Sequence, residues 1–121
     1  MNTTFFFWLS FSLLLVHEMD AVRLHEWRIL PLFSRLDDRM GCVTFTLAHI
    51  PLYTLLLWQL TSSASPQTNL MLGLDSFAIV HIGLHWLLRN HLLNEFKTLS
   101  SWGIIIGAGV AGLVDLLLYS L

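Results

Sequence analysis

The chain has 121 residues, of which 55% are hydrophobic and only 12% are charged. A soluble domain carries about 25% charged residues, so this composition argues against a disordered chain and against a water-soluble enzyme. Six Lys and Arg against eight Asp and Glu give a formal net charge of −2, which leaves no basic excess for binding nucleic acid. The one cysteine, Cys42, can form no internal disulfide and no cysteine-rich zinc module.

Four apolar stretches dominate the sequence. Because about 20 apolar residues are needed for a helix to cross the hydrocarbon core, we predict membrane helices at about residues 4–30, 42–60, 70–90 and 99–121. The apolar run from Phe5 to Val16 is as long as that of a secretory signal, but no Lys or Arg precedes it and no small-residue cleavage site follows. We therefore expect a retained helix, and a single all-α domain over 1–121 that forms an antiparallel four-helix transmembrane bundle.

The positive charges predict the orientation of this bundle. They lie at the ends of the first and third predicted helices and in the connections that follow them, at Arg23, Arg28, Arg35, Arg39, Arg89 and Lys97. The connection Thr61–Asn69 has none, and its Ser, Thr and Pro residues are typical of a polar turn. Since short cytoplasmic loops retain Lys and Arg, both termini are expected on the outer side.

The first predicted helix carries several ionisable residues. If it continues unbroken, the side chains of His17, Glu18, Asp20, His25 and Arg28 share one half of its circumference, whereas Arg23 and Glu26 point the other way. Ionisable groups in a membrane helix are costly unless they face the bundle interior. The alternative is an amphipathic helix end that lies among the lipid headgroups.

Histidines on the second and third helices lie at nearly the same predicted depth as His17. His49 shares a polar stripe with Tyr53, and His81 and His85 are four residues apart, so both imidazoles can face one point. We predict one cluster from these helices, made of His17, Glu18, Asp20, His49, His81 and His85. Imidazole with carboxylate is a common ligand set for zinc, iron or manganese, so the pattern predicts a divalent metal site.

Two further aspartates lie near the outer ends of the third and fourth helices. Asp75 and Asp115 are expected to contact Ser, Thr or backbone groups close to the outer surface. The fourth helix otherwise has Gly and Ala at four-residue spacing, as in Gly103, Gly107 and Ala111. This spacing is typical of closely packed membrane helices.

Five short motifs carry a family resemblance. They are His17-Glu18-Met19-Asp20-Ala21, Glu26-Trp27-Arg28, His49-Ile50-Pro51-Leu52, His81-x-Gly83-Leu84-His85 and Asn94-Glu95-Phe96. From Val16 to about Ser101 the chain resembles a group of small, uncharacterised bacterial membrane proteins that cross the membrane several times. The resemblance implies a bacterial inner-membrane protein and includes the same histidines and acidic residues, but it implies no activity.

The sequence leaves several functions open, and it does not decide whether the protein is an enzyme. The polar cluster is interpreted either as a metal site or as a packing network in a structural or accessory subunit. Further alternatives are haem b held by two of the histidines, in an electron carrier, and a proton-coupled transporter. The lipid bilayer is the expected partner, together with a homo-oligomer or a larger membrane complex.

Overall fold

The computed structural model describes residues 4–62, 64 and 67–121, and these form four α-helices. The helices are α1 (Thr4–Arg23), α2 (Asp38–Thr61), α3 (Thr68–Leu88) and α4 (Leu99–Ser120), and a short 3-10 turn (Glu26–Arg28) follows α1. Three residues of the predicted polar connection, Ser63, Ser65 and Pro66, lie outside the described residues.

Each of the four helices is long and apolar enough to cross a membrane. An α-helix satisfies its backbone hydrogen bonds internally, which the hydrocarbon interior requires because it offers no water. The described residues contain no strand. The prediction of an all-α protein with four membrane helices is therefore confirmed.

Three of the helices form a core, because α1 and α3 both pack against α4 and also contact each other. Asp75 of α3 lies against Gly112 of α4, and Ile82 lies against Gly109, so these two helices run in opposite directions. In contrast, α2 packs mainly on the 3-10 turn. In α4, 39% of the apolar 18-residue stretch is buried inside the protein, whereas in α2 only 11% of the corresponding stretch is buried.

The first helix ends at Arg23, whereas the sequence predicted a helix as far as Leu30. The backbone of His25 has φ 56° and ψ 46°, in the left-handed region. A residue in this conformation terminates a helix, and His adopts it more readily than most residues other than Gly. The chain therefore changes direction before Glu26, which places the 3-10 turn against the end of the core.

The start of α2 holds the 3-10 turn in place. The indole Nε1 of Trp27 donates to Asp38 Oδ1 at 3.0 Å, and the Arg28 guanidinium donates to both Asp38 oxygens at 2.7 and 2.9 Å. Trp27 also covers Gly41, where an added Cβ would lie 2.7 Å from the indole Cδ1. A glycine at this position lets the indole lie directly on the α2 backbone.

The connection between α3 and α4 folds back over the same end of the core. The side chain of Asn94 donates to the Arg89 carbonyl at 3.0 Å and accepts from the Phe96 amide at 3.1 Å. The Trp102 indole donates to the Phe96 carbonyl at 3.0 Å. These bonds hold the Phe96 ring, which is buried, inside the core.

Candidate metal centre

Four buried side chains meet where the two connections cover the core. His17 comes from α1, His81 and His85 come from α3, and Glu26 comes from the 3-10 turn. The spacing of His81 and His85 places both imidazoles on one face of α3. One ligand atom from each of the four residues lies within 4.8 Å of the others.

The same ring nitrogen, Nε2, of each histidine points to the centre of this group. The Nε2 atoms of His17 and His81 are 2.8 Å apart, and those of His81 and His85 are 3.2 Å apart. Glu26 Oε1 lies 3.2 Å from His85 Nε2 and 3.9 Å from His17 Nε2. Three nitrogens and one carboxylate oxygen therefore surround a single point.

Hydrogen bonds alone satisfy this arrangement poorly. An Nε2 atom carries either one hydrogen or one lone pair, yet His81 Nε2 lies within hydrogen-bond distance of two other Nε2 atoms. His85 Nε2 also contacts the Glu26 carboxylate. A cation at the centre would accept all four lone pairs at once.

The spacing of the donor atoms also suits a first-row metal ion. Zinc binds imidazole nitrogen at about 2.0–2.1 Å in a tetrahedron, which places neighbouring ligand atoms about 3.3 Å apart. The four separations given above, among the histidine Nε2 atoms and Glu26 Oε1, are between 2.8 and 3.9 Å. Small movements of the side chains would bring all four to bonding distance of one ion.

Glu26 supplies the negative charge of the centre. Burial alone would raise the pKa of this carboxyl, but hydrogen bonds and charge interactions with His17 and His85 outweigh burial and lower the pKa to about 2. The carboxylate is therefore ionised near neutral pH. An anionic oxygen beside three imidazoles is a suitable donor set for zinc, iron or manganese.

Apolar surfaces surround the four donors. The ring of Phe96 lies 4.5 Å from the His85 ring and 5.6 Å from the His17 ring, between centroids. A cavity of about 200 Å³ is lined by Glu26, His81 and His85 together with leucines and a proline. The Nδ1 atoms of His17 and His81 are buried with no hydrogen-bond partner in the described residues.

The structure divides the six residues that the sequence placed in one cluster. His17, His81 and His85 meet as expected, but Glu18 and His49 form a separate pair between α1 and α2. His49 Nε2 lies 2.9 Å from Glu18 Oε2, and His49 Nδ1 lies 2.7 Å from the Phe45 carbonyl oxygen. This pair lines a cavity of about 510 Å³ that is otherwise mostly apolar.

Asp20 is also separate from the three histidines that meet. Its Oδ1 accepts hydrogen bonds from the Arg23 guanidinium at 2.6 and 3.0 Å. The structure thus brings together half of the predicted residues and places Asp20 in an ion pair.

Glu26 is the donor that the sequence analysis missed, and its predicted direction is wrong. A continuous helix would place Glu26 opposite His17, but α1 ends at Arg23 and the reversal at His25 carries Glu26 back to the centre. Neither Gly nor Asn marks this reversal in the sequence. The Glu26-Trp27-Arg28 motif was the available signal, since it forms part of the family resemblance.

Comparisons with known proteins identify the family. The sequence model of DUF6713, a family of unknown function, matches residues 3–121. The chain therefore belongs to this family. No curated protein and no solved structure matches the chain. The resemblance to an uncharacterised family is thus confirmed.

Proposed function

We propose that this protein binds one divalent transition-metal ion, zinc, iron or manganese, within the membrane. The observation that carries the proposal is the convergence of three histidine Nε2 atoms and Glu26 Oε1 on one buried point. A buried charge in a membrane protein is costly unless it is paired. A bound cation would neutralise the Glu26 carboxylate. It would also coordinate the histidine nitrogens, which cannot all form hydrogen bonds with one another.

The donor set also indicates the kind of site. Structural zinc sites have four protein ligands, whereas catalytic sites leave a position for water or substrate. His17, Glu26, His81 and His85 could supply all four ligands. The 3.9 Å separation of His17 Nε2 from Glu26 Oε1 and the adjacent cavity of about 200 Å³ give room for an exchangeable ligand on an otherwise closed site.

We place the metal centre toward the cytoplasmic side of a bacterial inner membrane. The support is the distribution of positive charge, because the connections that cover the four donors and the helix ends beside them carry the Lys and Arg residues of the chain. Positively charged loops remain on the cytoplasmic side. The family resemblance described above supports the bacterial location.

Metal analysis of the purified protein tests the proposal. The protein would be purified in detergent without a polyhistidine tag, and its metal content would be measured by mass spectrometry. We expect about one zinc, iron or manganese ion per chain, and we expect the His81→Ala, His85→Ala double variant to lose it. His91→Ala is the matched control, because His91 accepts a hydrogen bond from the nearby Leu93 amide and lies outside the four donors.

Two outcomes would contradict the proposal. One is a folded, metal-free protein that takes up none of the three ions when they are added. The other is a double variant that folds and keeps its metal. Circular dichroism of each variant would separate loss of metal from loss of the helical fold.

A second candidate function is that of an accessory subunit, in which the polar cluster is a packing network. The observation that favours it is the exposure of α2, in which only Gly41 and Phe45 are buried. A haem carrier is less well supported, because two axial nitrogens must have the porphyrin between them. The 2.8 Å separation of the His17 and His81 Nε2 atoms leaves no space for it.

A further inference from the structure

A second polar group lies in the same three-helix core, away from the metal centre. It consists of Asp75 on α3, Asp115 on α4 and Ser10 on α1, and each residue is at most 4% exposed. Asp115 and Ser10 are the side chains that interact with the Asp75 carboxyl. The sequence analysis expected these aspartates to contact Ser, Thr or backbone groups, and the Ser10 hydroxyl is such a partner of Asp75.

These oxygens form no ion pair with a basic side chain of the described residues. Both Asp75 oxygens, one Asp115 oxygen and the Ser10 hydroxyl are buried without a hydrogen-bond partner that meets ordinary geometry. The other buried or paired carboxylates differ in this respect. Glu18 has His49, Asp20 has Arg23, Glu26 has His85, Asp38 has Arg28 and Glu95 has His25.

No cation of the described residues forms an ion pair with this group. The polar side chains that meet there are Ser10 from α1, Asp75 from α3 and Asp115 from α4. The nearest metal donor on the same helix, His81, is six residues from Asp75, or about 9 Å along α3. Leu14, Ala78 and Ala108 form a buried apolar cluster between the two polar groups along their helices.

The packing around Asp75 is also tight. An added Cβ at Gly112 would lie 3.1 Å from Asp75 Oδ1 and 3.0 Å from the Asp75 carbonyl oxygen. The α4 backbone thus directly adjoins the carboxyl group. A hydrated cation would need these helices to separate, whereas a proton needs no additional volume.

We propose that Asp75 and Asp115 form a proton-binding site, in which the two carboxyl groups share one proton at neutral pH. Two adjacent buried carboxylates cannot both ionise without strong repulsion, and a single shared proton converts that repulsion into a hydrogen bond. The proton comes from water and adds to one carboxylate oxygen. The Ser10 hydroxyl is the neighbouring donor for the carboxylate that stays ionised.

This site is independent of the proposed metal centre, and it couples the packing of α3 on α4 to pH. The folded protein holds a proton that the unfolded chain releases above the ordinary titration range of Asp. Stability therefore falls as pH rises, because the native state binds more protons than the unfolded state. One retained proton corresponds to a tenfold change in the unfolding equilibrium constant per pH unit.

Infrared spectroscopy of the full-length protein in detergent tests the proposal directly. The wild-type protein at neutral pH should show the carbonyl stretch of a protonated carboxyl group, shifted when the sample is exchanged into heavy water. The Asp75→Asn, Asp115→Asn double variant keeps the side-chain shapes and should lose this band. Glu95→Gln removes an exposed carboxyl group and should leave the band unchanged.

A pH series of unfolding in mixed micelles gives a second measurement on the same variants. The wild-type equilibrium should change by up to tenfold per pH unit between the ordinary titration range of Asp and neutrality, and the double variant should lose this dependence. Absence of the infrared band in the wild type, or its survival in the folded double variant, would overturn the proposal. Loss of the band when sodium or calcium is added would also overturn it, in favour of a cation site.

Discussion

The two polar groups in the α1, α3 and α4 core differ in how their charges are balanced. Near the two covering connections, three imidazoles and the Glu26 carboxylate offer lone pairs to one point. Near the other end, Asp75 and Asp115 offer carboxylates without a cation, against the backbone of Gly112. Both groups are buried, so the difference between them follows from which side chains meet at each end of the core.

The difference shows how the core accommodates polar atoms. The metal centre depends on a loop, since Glu26 reaches it only through the 3-10 turn and the reversal at His25. The aspartate pair depends only on helix packing, since Asp75 projects from α3, Asp115 from α4 and the neighbouring Ser10 from α1. A change in the loop should therefore affect metal binding, and a change in the helix contact should affect stability.

The largest effect is expected from replacing the carboxylate donor. Glu26→Gln keeps the size of the side chain but removes its charge, and we expect metal affinity to fall by about 100-fold or more, since even an outer-shell partner contributes about 10- to 100-fold. Glu18→Gln is the matched control, because Glu18 pairs with His49 instead. Competition with a metal chelator measures both affinities.

An equal loss of affinity in Glu18→Gln would contradict the separation of the two sites. It would instead support the six-residue cluster that the sequence predicted. Normal affinity in a folded Glu26→Gln variant would remove Glu26 from the ligand set.

A smaller effect is expected at the aspartate end from adding one methyl group. Gly112→Ala would bring a Cβ to 3.0–3.1 Å from Asp75, and we expect a loss of about 1–3 kcal/mol in the free energy of unfolding because the helices must shift. Gly103→Ala lies on the same helix, with no atom within 4 Å of an added Cβ.

The Gly103→Ala control should stabilise the protein by up to about 1 kcal/mol, because Ala favours a helix more than Gly. Both values come from unfolding in mixed micelles. Equal changes in the free energy of unfolding at the two positions would mean that α4 does not adjoin Asp75 closely. We expect both variants to bind the normal amount of metal, because neither glycine lies at the metal centre.

The smallest effect is expected from loosening the 3-10 turn. Asp38→Asn weakens the contacts that Trp27 and Arg28 make with α2, so Glu26 becomes less well positioned and metal affinity should fall by about tenfold or less. Asp37→Asn is the control, since Asn caps a helix as well as Asp. Isothermal titration with zinc measures the difference.

The Asp38→Asn result is informative in both directions. An affinity equal to that of the control would show that Glu26 holds its position without the anchor. A loss as large as that of Glu26→Gln would show that the 3-10 turn detaches completely.

Much of this arrangement follows from local pattern. Hydropathy alone locates the four helices, because each apolar run has the length that a membrane crossing requires. The spacing of His81 and His85 already places two imidazoles on one face, and the depth of His17 brings a third to the same level. These features depend on helical periodicity, which the sequence encodes directly.

The remaining donor depended on a single backbone conformation. Glu26 enters the centre because His25 adopts φ 56°, and a histidine carries no strong local signal for that conformation. The separation of Glu18 and His49 from the centre likewise depends on α2, which packs on the 3-10 turn and is otherwise exposed. The position of a residue along its helix predicts its depth in the membrane, but it does not predict which neighbouring helix the side chain contacts.

The sequence by itself determined the class of fold, the number of membrane helices and three of the four candidate metal donors. Apolar length and the 3.6-residue helical period are local properties, and lipid enforces them because every backbone group must be satisfied within its helix. Only the tertiary structure decided which carboxylate joins the histidines and that Asp75 meets Asp115. Those outcomes depend on a chain reversal and on contacts between distant helices, which no local pattern specifies.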